Sequence, residues 1–348
     1  MVPAAIIPKE AAEDTTKKFT ENPVGTGPFT VTSWTRQQQI TLAANPDYWG
    51  GKPKIDNVVM RVITEKSSQM VEFAAGNLDF VIVPPTDVAR IKADTSLQGR
   101  VQDQAILSIF WLPLNLNKAP LDNVKVRQAL AYAVDKDALV KSVLQGQAVV
   151  ANGPIPPGLS AYDPNYKPYT YDIAKAKSLL TEAGFPNGVD VEIRTWTDEV
   201  EGRVLTAIQA MWAKAGIRAK FNRTEYTSYI DDLSKCNMQI GTSSWTADYA
   251  DPDDFINPIP LSDLSDQGKA CGMGKVPDVK NNALKALTLP LGKDRDALYQ
   301  KAQQIAQDNA IGIFLYHRGA TLAVGPNVKG VYLDALNAVV LYPISFGS

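Results

Sequence analysis

The sequence predicts a mixed α/β protein of two lobes, and three observations carry that prediction. The first third alternates apolar and polar residues with the period of strands. From residue 123 onward the apolar spacing lengthens to that of amphipathic helices. Between residues 189 and 221 a strand, a helix and a strand follow one another, which is the order of a parallel βαβ unit.

Residues 22–29, Asn-Pro-Val-Gly-Thr-Gly-Pro-Phe, form a turn block in which Gly25 and Gly27 can take backbone angles closed to other residues. Alternation over 29–34 reads as a half-buried strand, and 39–42 as a second. A turn over 45–53 leads to a third strand at 58–63, and a short helix is predicted over 67–76. Residues 79–83 are too apolar for an exposed strand and should be buried. The extended apolar stretch 106–114 marks the change of texture.

Beyond it, Val126, Leu130, Ala133 and Val134 share one helical face, and Asp135 can cap the turn that carries Leu139, Val140 and Val143. The helix over 172–184 has Asp172 at its start, Ile173, Ala176 and Leu180 on its inner face, and Gly184 at its stop. The helix over 203–216 repeats the scheme with Val204, Ile208, Met211, Trp212 and Ala215, ending at Gly216. Strands at 189–194 and 217–221 flank it. A helix over 296–309, a strand over 311–316 and short strands near 322 and 328–332 complete the chain. Neither a solenoid-length repeat nor a low-complexity segment is present.

Composition excludes several functions. The 348 residues carry 35 Lys and Arg against 37 Asp and Glu, a net charge of -2 with no basic block, so no nucleic-acid partner is expected. One His and two Cys are too few for a Cys₄ or Cys₂His₂ zinc site, and neither metal nor cofactor is expected. No apolar run approaches the ~20 residues that span a bilayer. The first residues show no charged n-region followed by an apolar core, so no signal peptide is expected in this chain.

Gly25-Thr-Gly27 lacks the third glycine and the following helix of a phosphate loop, and reads as a turn. Gly241-Thr-Ser-Ser-Trp245 lacks the second glycine of a nucleophile elbow. His317 closes an apolar strand and reads as structural. Cys236 and Cys271 allow one disulfide or two separate thiols. The richest segment is Trp245-Thr-Ala-Asp-Tyr-Ala-Asp-Pro-Asp-Asp-Phe255, which follows a strand read at 238–242. Asp253 and Asp254 read as solvated loop acids. Asp248 has three readings: a solvated acid, half of a hydrolytic pair with Asp251, or the anion of an ammonium pocket walled by Trp245 and Tyr249.

Several stretches together resemble family 5 extracellular solute-binding proteins of ABC importers. They are residues 22–29, Asn45-Pro-Asp-Tyr-Trp-Gly50, 115–135 with Val126-Arg-Gln-Ala-Leu-Ala-Tyr-Ala-Val-Asp135 the sharpest, 176–185, Trp212-Ala-Lys-Ala-Gly216 and Trp245-Thr-Ala-Asp-Tyr249, in family order. The resemblance implies a two-lobed periplasmic-binding-protein-like fold of the class with an extra domain. Residues 1–111 and 316–348 should form a first, incomplete lobe and 112–315 the second. The two crossings then lie near 107–114 and 313–318, with ligand enclosed between the lobes.

It implies no enzyme and no catalytic residue, but the substrate-binding component of an importer. That component captures a small peptide or another small solute (sugar, opine or metal complex) and delivers it to ABC permease membrane subunits. The family works in the periplasm or cell envelope, and a monomer is expected. By the family motif, Asp248 pairs with the free amino terminus of a peptide, with Trp245 and Tyr249 as walls. Trp196 is a further aromatic candidate, and Arg194 or Arg203 a candidate partner for the peptide carboxylate. By the resemblance, the family's N-terminal strands, small extra domain and export signal are expected to be missing from this chain. The first lobe should therefore show unpaired edges and exposed apolar surface, and the chain by itself should bind ligand weakly or not at all.

Overall fold

The computed structural model describes residues 7–14, 16, 19–196, 199–259 and 261–347. The chain falls into two units, one of Met1–Ala105 with Ala320–Ser348 and one of Ile106–Gly319. The divisions lie before 106 and after 319 rather than at 111/112 and 315/316. The reason is pairing: residues 108–113 bond on both sides to strands of the second unit, from Ser108↔Thr246 to Pro113↔Gly312.

In the first unit the chain forms α1 (Lys9–Glu13), β1 (Phe29–Thr35), β2 (Gln39–Ala44), β3 (Asn57–Arg61), α2 (Lys66–Ala74), β4 (Phe80–Ile82), α3 (Val88–Ala93) and β5 (Val101–Ala105). Strands β1, β2 and β3 make an antiparallel sheet with Val31 opposite Leu42 and Ile40 opposite Met60. None of its residues is buried, and Val59 and Met60 are 54% and 45% exposed. The core of the unit lies elsewhere, in Met70, Phe73, Val81, Val83, Val88, Ile91 and Ala323.

The second unit contains β6 (Ser108–Pro113), α4 (Val124–Tyr132), α5 (Lys136–Ala138), β7 (Ala148–Val150), α6 (Ile173–Glu182), β8 (Val189–Trp196), α7 (Glu199–Lys214) and β9 (Ile217–Thr224). There follow α8 (Tyr226–Ser234), β10 (Ser243–Thr246), α9 (Asp266–Ala270), α10 (Pro277–Leu287), α11 (Lys293–Asp308) and β11 (Gly312–Val324). The last residues of β11, with β12 (Val328–Lys329) and β13 (Ser345–Phe346), belong to the first unit. There Leu322 and Val324 pair with Ile82 and Phe80.

Local chemistry accounts for the helices. Asp172 accepts the Lys175 amide at 2.8 Å as the N-cap of α6, and Ala176, Leu179 and Leu180 are buried along it. Gly184 and Gly216 follow α6 and α7 with φ of +92° and +86°, the left-handed angles that a side chain resists. Strands β8 and β9 pair in parallel from Val189↔Ile217 to Trp196↔Thr224, with α7 as the crossover. Helices α8, α9 and α10 are additions to the sequence expectation, because their inner faces are short and interrupted by polar residues.

The central sheet of this unit sets β10 beside β6 and β6 beside β11, with β7 on the other edge of β11. All six residues of β6 are buried. The strand read at 238–242 is instead two bridges from Ile240, to Leu114 and to Ile193, and the ladder begins at Ser243. Trp245 therefore lies within a strand, opposite Ile109. Cys236 and Cys271 form a disulfide, with Cα atoms 5.3 Å apart.

The segment 126–135 owes its residue types to packing. Arg127 is 5% exposed and donates to the Leu121 carbonyl at 2.7 Å and to the Asn309 and Ala310 carbonyls just beyond α11. Burial lowers its pKa to about 10, so it stays charged where it caps that helix end. Among the described residues no helix is long and apolar enough to cross a membrane.

Candidate functional site

Residues 245–257 fold as the end of β10, a loop, and a 3₁₀ turn over Pro252–Phe255. The sequence dictates the turn. Asp251 accepts the Asp253 amide at 2.9 Å as its N-cap, and Pro252 takes the first position, where no amide hydrogen is needed. The Ala247 amide donates to the Leu107 carbonyl at 2.8 Å and fixes where the loop leaves the sheet.

The four carboxylates have four different environments. Asp251 receives both Nη atoms of Arg295, at 2.8 and 2.9 Å. Asp253 receives the hydroxyl of Tyr249 at 2.7 Å and that of Tyr299 at 3.3 Å, together with the side-chain amide of Asn257. Burial, with the carboxylates of the loop adding to it, pushes the Tyr249 hydroxyl well above its ordinary pKa, so it stays a donor.

Asp254 is 0% exposed. Its Oδ2 accepts the Asp248 amide at 2.8 Å and the Trp245 indole N–H at 3.3 Å. Asp253 and Asp254 are thus not solvated loop acids. A helical turn rolls Asp254 inward against Trp245, and the amides of Asp248 and Tyr249 compensate its burial. Asp248 is the exposed acid, and among the described residues nothing pairs with its carboxylate.

The structure gathers Trp245, near the end of β10, with Asp248 and Tyr249 of the loop that follows, the two aromatic rings half-buried. It does not build Arg194 or Trp196 into that hydrogen-bond network. Arg194 on β8 donates through Nε at 2.8 Å and through Nη2 to Asp232 Oδ2, and through Nη1 at 2.5 Å to Asn222 Oδ1. Trp196, two residues on, packs against Tyr229 with ring centroids 4.7 Å apart and against Tyr226 at 5.5 Å. Arg203 on α7 differs from Arg194, since its Nε is buried and has no hydrogen-bond partner among the described residues.

Sequence reasoning missed Arg295 and Tyr299. They lie 44 and 46 residues from the acids they bind, and their only local signal is a shared face of α11 at i and i+4. The pairing of Asp251 with Arg295 also removes the second carboxylate from a hydrolytic Asp248–Asp251 pair. No group of three His, Cys, Asp or Glu among the described residues could hold a metal ion.

Residues 1–265 match the family described as bacterial extracellular solute-binding proteins, family 5 Middle. The chain is 34% identical over 346 residues to the dipeptide-binding protein of Escherichia coli, covering 96% of this chain and 64% of that protein. It is 33% identical over 333 residues to heme-binding protein A of Haemophilus influenzae, covering 93% and 60%. Among solved structures, the periplasmic binding protein DppA of Helicobacter pylori in complex with peptide STSA is 29% identical with a TM-score of 0.81, over 99% of this chain and 68% of that one. The chain spans 64% and 60% of the length of the two curated relatives.

Proposed function

The chain belongs to the bacterial extracellular solute-binding proteins, family 5, and from that premise we propose that it captures small peptides for an ABC importer. It binds and releases its ligand unchanged, works as a monomer in the periplasm or cell envelope, and hands its cargo to membrane permease subunits. Asp248 holds the peptide's free ammonium group, with Trp245 and Tyr249 as walls. Arg203 offers a positive charge to the carboxylate end, since Arg194 is engaged by Asp232 and Asn222. Trp196 adds an aromatic face.

One observation carries this reading. In a loop of four acids, Asp248 alone keeps an exposed carboxylate that no described residue pairs with, while its amide and the neighbouring indole are held from behind. A charge-assisted hydrogen bond of this kind is worth about 1.5–3 kcal/mol, or roughly 10- to 100-fold in affinity.

The test is an NMR titration with Ala-Ala at millimolar concentration, which reads weak binding, following the Trp245 indole resonance. Ala-Ala is expected to shift that resonance, and neither N-acetyl-Ala-Ala with the wild type nor Ala-Ala with Asp248→Asn is expected to do so. Equal shifts from the free and acetylated peptides would sink the ammonium assignment. A second reading, a non-peptide solute, is favoured by the 33% identity to heme-binding protein A. Saturable binding of heme with no response to Ala-Ala would establish it instead.

A further inference from the structure

Asp254 is buried more deeply than a loop carboxylate needs to be, and its two oxygens are not equivalent. Oδ2 gathers the Asp248 amide and the Trp245 indole, while Oδ1 is also shut off from solvent and has no hydrogen-bond partner among the described residues. An uncompensated buried oxygen is costly, and an asparagine could accept the same two hydrogen bonds without burying an ionisable group. The acid must therefore contribute something beyond holding the loop. We propose that Asp254 is the positioning residue of the cation site, fixing the Asp248 main chain and the Trp245 ring as one unit and coupling the occupancy of Asp248 to its own proton. The inference rests on the reading of Asp248 as the ammonium site.

The coupling follows from charge. Burial raises the pKa of Asp254, and the negative charge of Asp248 raises it further, against the lowering by the Asp248 amide, the Trp245 indole and the Tyr249 amide. The other two acids of the loop are paired, Asp251 with Arg295, and Asp253 with Tyr249 and Tyr299. An ammonium group seated on Asp248 cancels the charge that Asp254 feels. The proton of Asp254 then leaves more easily. By reciprocity, deprotonated Asp254 strengthens cation binding by the same factor, tenfold for each unit of coupling. Binding of a free peptide thus releases a proton, and affinity weakens as pH falls through the range of Asp254.

The experiment follows the Trp245 indole ¹H–¹⁵N resonance, assigned with Trp245→Phe, against pH in the whole chain. In the ligand-free wild type it is expected to titrate with a midpoint above the ordinary aspartate range. Asp254→Asn, which keeps the acceptor oxygen and hence the loop, is expected to abolish that titration, and Asp248→Asn to preserve it at a lower midpoint. Ala-Ala is expected to bind Asp254→Asn about tenfold more weakly at pH 7.5, with no pH dependence between pH 5 and 7.5. An indole that fails to titrate in the wild type, or still titrates in Asp254→Asn, overturns the proposal. A titrating indole whose midpoint is the same in Asp248→Asn overturns the coupling. Should N-acetyl-Ala-Ala bind as well as Ala-Ala, the ammonium reading of Asp248 fails while the ligand-free titration still decides the role of Asp254.

Discussion

Arg295 grips Asp251 with a two-pronged ion pair, Nη1 to Oδ2 at 2.9 Å and Nη2 to Oδ1 at 2.8 Å. The same guanidinium donates to the Tyr299 hydroxyl at 3.2 Å and lies 4.9 Å from the centre of that ring. The pair fastens the acidic loop to α11, and the Asp251 carboxylate holds the Arg295 pKa above its ordinary value. Removing one partner of such a pair leaves the other charge stranded. Arg295→Met should therefore destabilise the second unit by about 2–3 kcal/mol, less than for a fully buried pair because the Asp251 side chain is 22% exposed. Arg295→Lys should recover little of it, since an ammonium cannot make two parallel bonds. Urea denaturation reads both, and a loss below about 0.5 kcal/mol for Arg295→Met would contradict the account.

The two arginines of the second unit should separate by phenotype. Arg194→Ala breaks the contact with Asp232 and should lower stability by about 1–2 kcal/mol while leaving the response to Ala-Ala unchanged. Arg203→Ala should keep stability within about 1 kcal/mol and reduce the preference for Ala-Ala over its C-terminal amide about tenfold. Parallel denaturation and NMR titrations of the two variants decide between them, and the reverse pattern would assign the carboxylate to Arg194.

Cys236 and Cys271 are 35 residues apart in sequence and joined by their disulfide. Closing a loop of that length in the unfolded chain should contribute about 3–4 kcal/mol of stability in the chain-entropy account. The double variant Cys236→Ser, Cys271→Ser should show that loss in urea denaturation, and a reductant should lower the stability of the wild type but not of the variant. Equal stability with and without reductant would show that the bridge adds nothing.

His317 predicts a pH dependence of opposite sign to that of Asp254. Burial lowers its folded-state pKa from 6.5 to about 4, assisted by the Lys136 charge and opposed by its hydrogen bond with the Ser108 carbonyl. The unfolded chain therefore binds the extra proton first as pH falls. The stabilising contribution is complete above pH 6.5 and is lost progressively down to about pH 4, with a ceiling of about 3 kcal/mol. Asp254, whose folded pKa is raised, contributes instead below the ordinary aspartate value and loses its contribution as pH rises. His317→Asn should flatten the stability profile between pH 6.5 and 4 relative to wild type. Parallel profiles would mean that His317 carries no linkage.

Much of this is legible in the sequence. Asp172 and Gly184 mark the ends of α6 because capping and left-handed turns are settled within a few residues of chain. The βαβ unit is legible because one change of period, from two to 3.6 and back, spans it. What failed did so for a common reason. The run at 238–242 has strand-like composition, yet only Ile240 finds bridge partners, in Leu114 and Ile193. Asp253 and Asp254 look like solvated acids in a row of four. Which of four neighbouring carboxylates turns inward depends on where the turn brings the Trp245 indole and on the guanidinium and hydroxyl that α11 presents.

The amino-acid order alone thus determined the alternation of strands and helices, the family, and the loop in which an acid stands between aromatic residues. Periodicity, caps and motifs are local properties, written within a dozen residues. Tertiary structure decided the rest: the disulfide between Cys236 and Cys271, the commitment of Arg194 to Asp232, and the burial of Asp254 behind an exposed Asp248. Each of these is a choice of partner across roughly 35 or more residues, or a choice of which side chain leaves water. Desolvation and pairing energies are defined only once the surrounding surfaces have met.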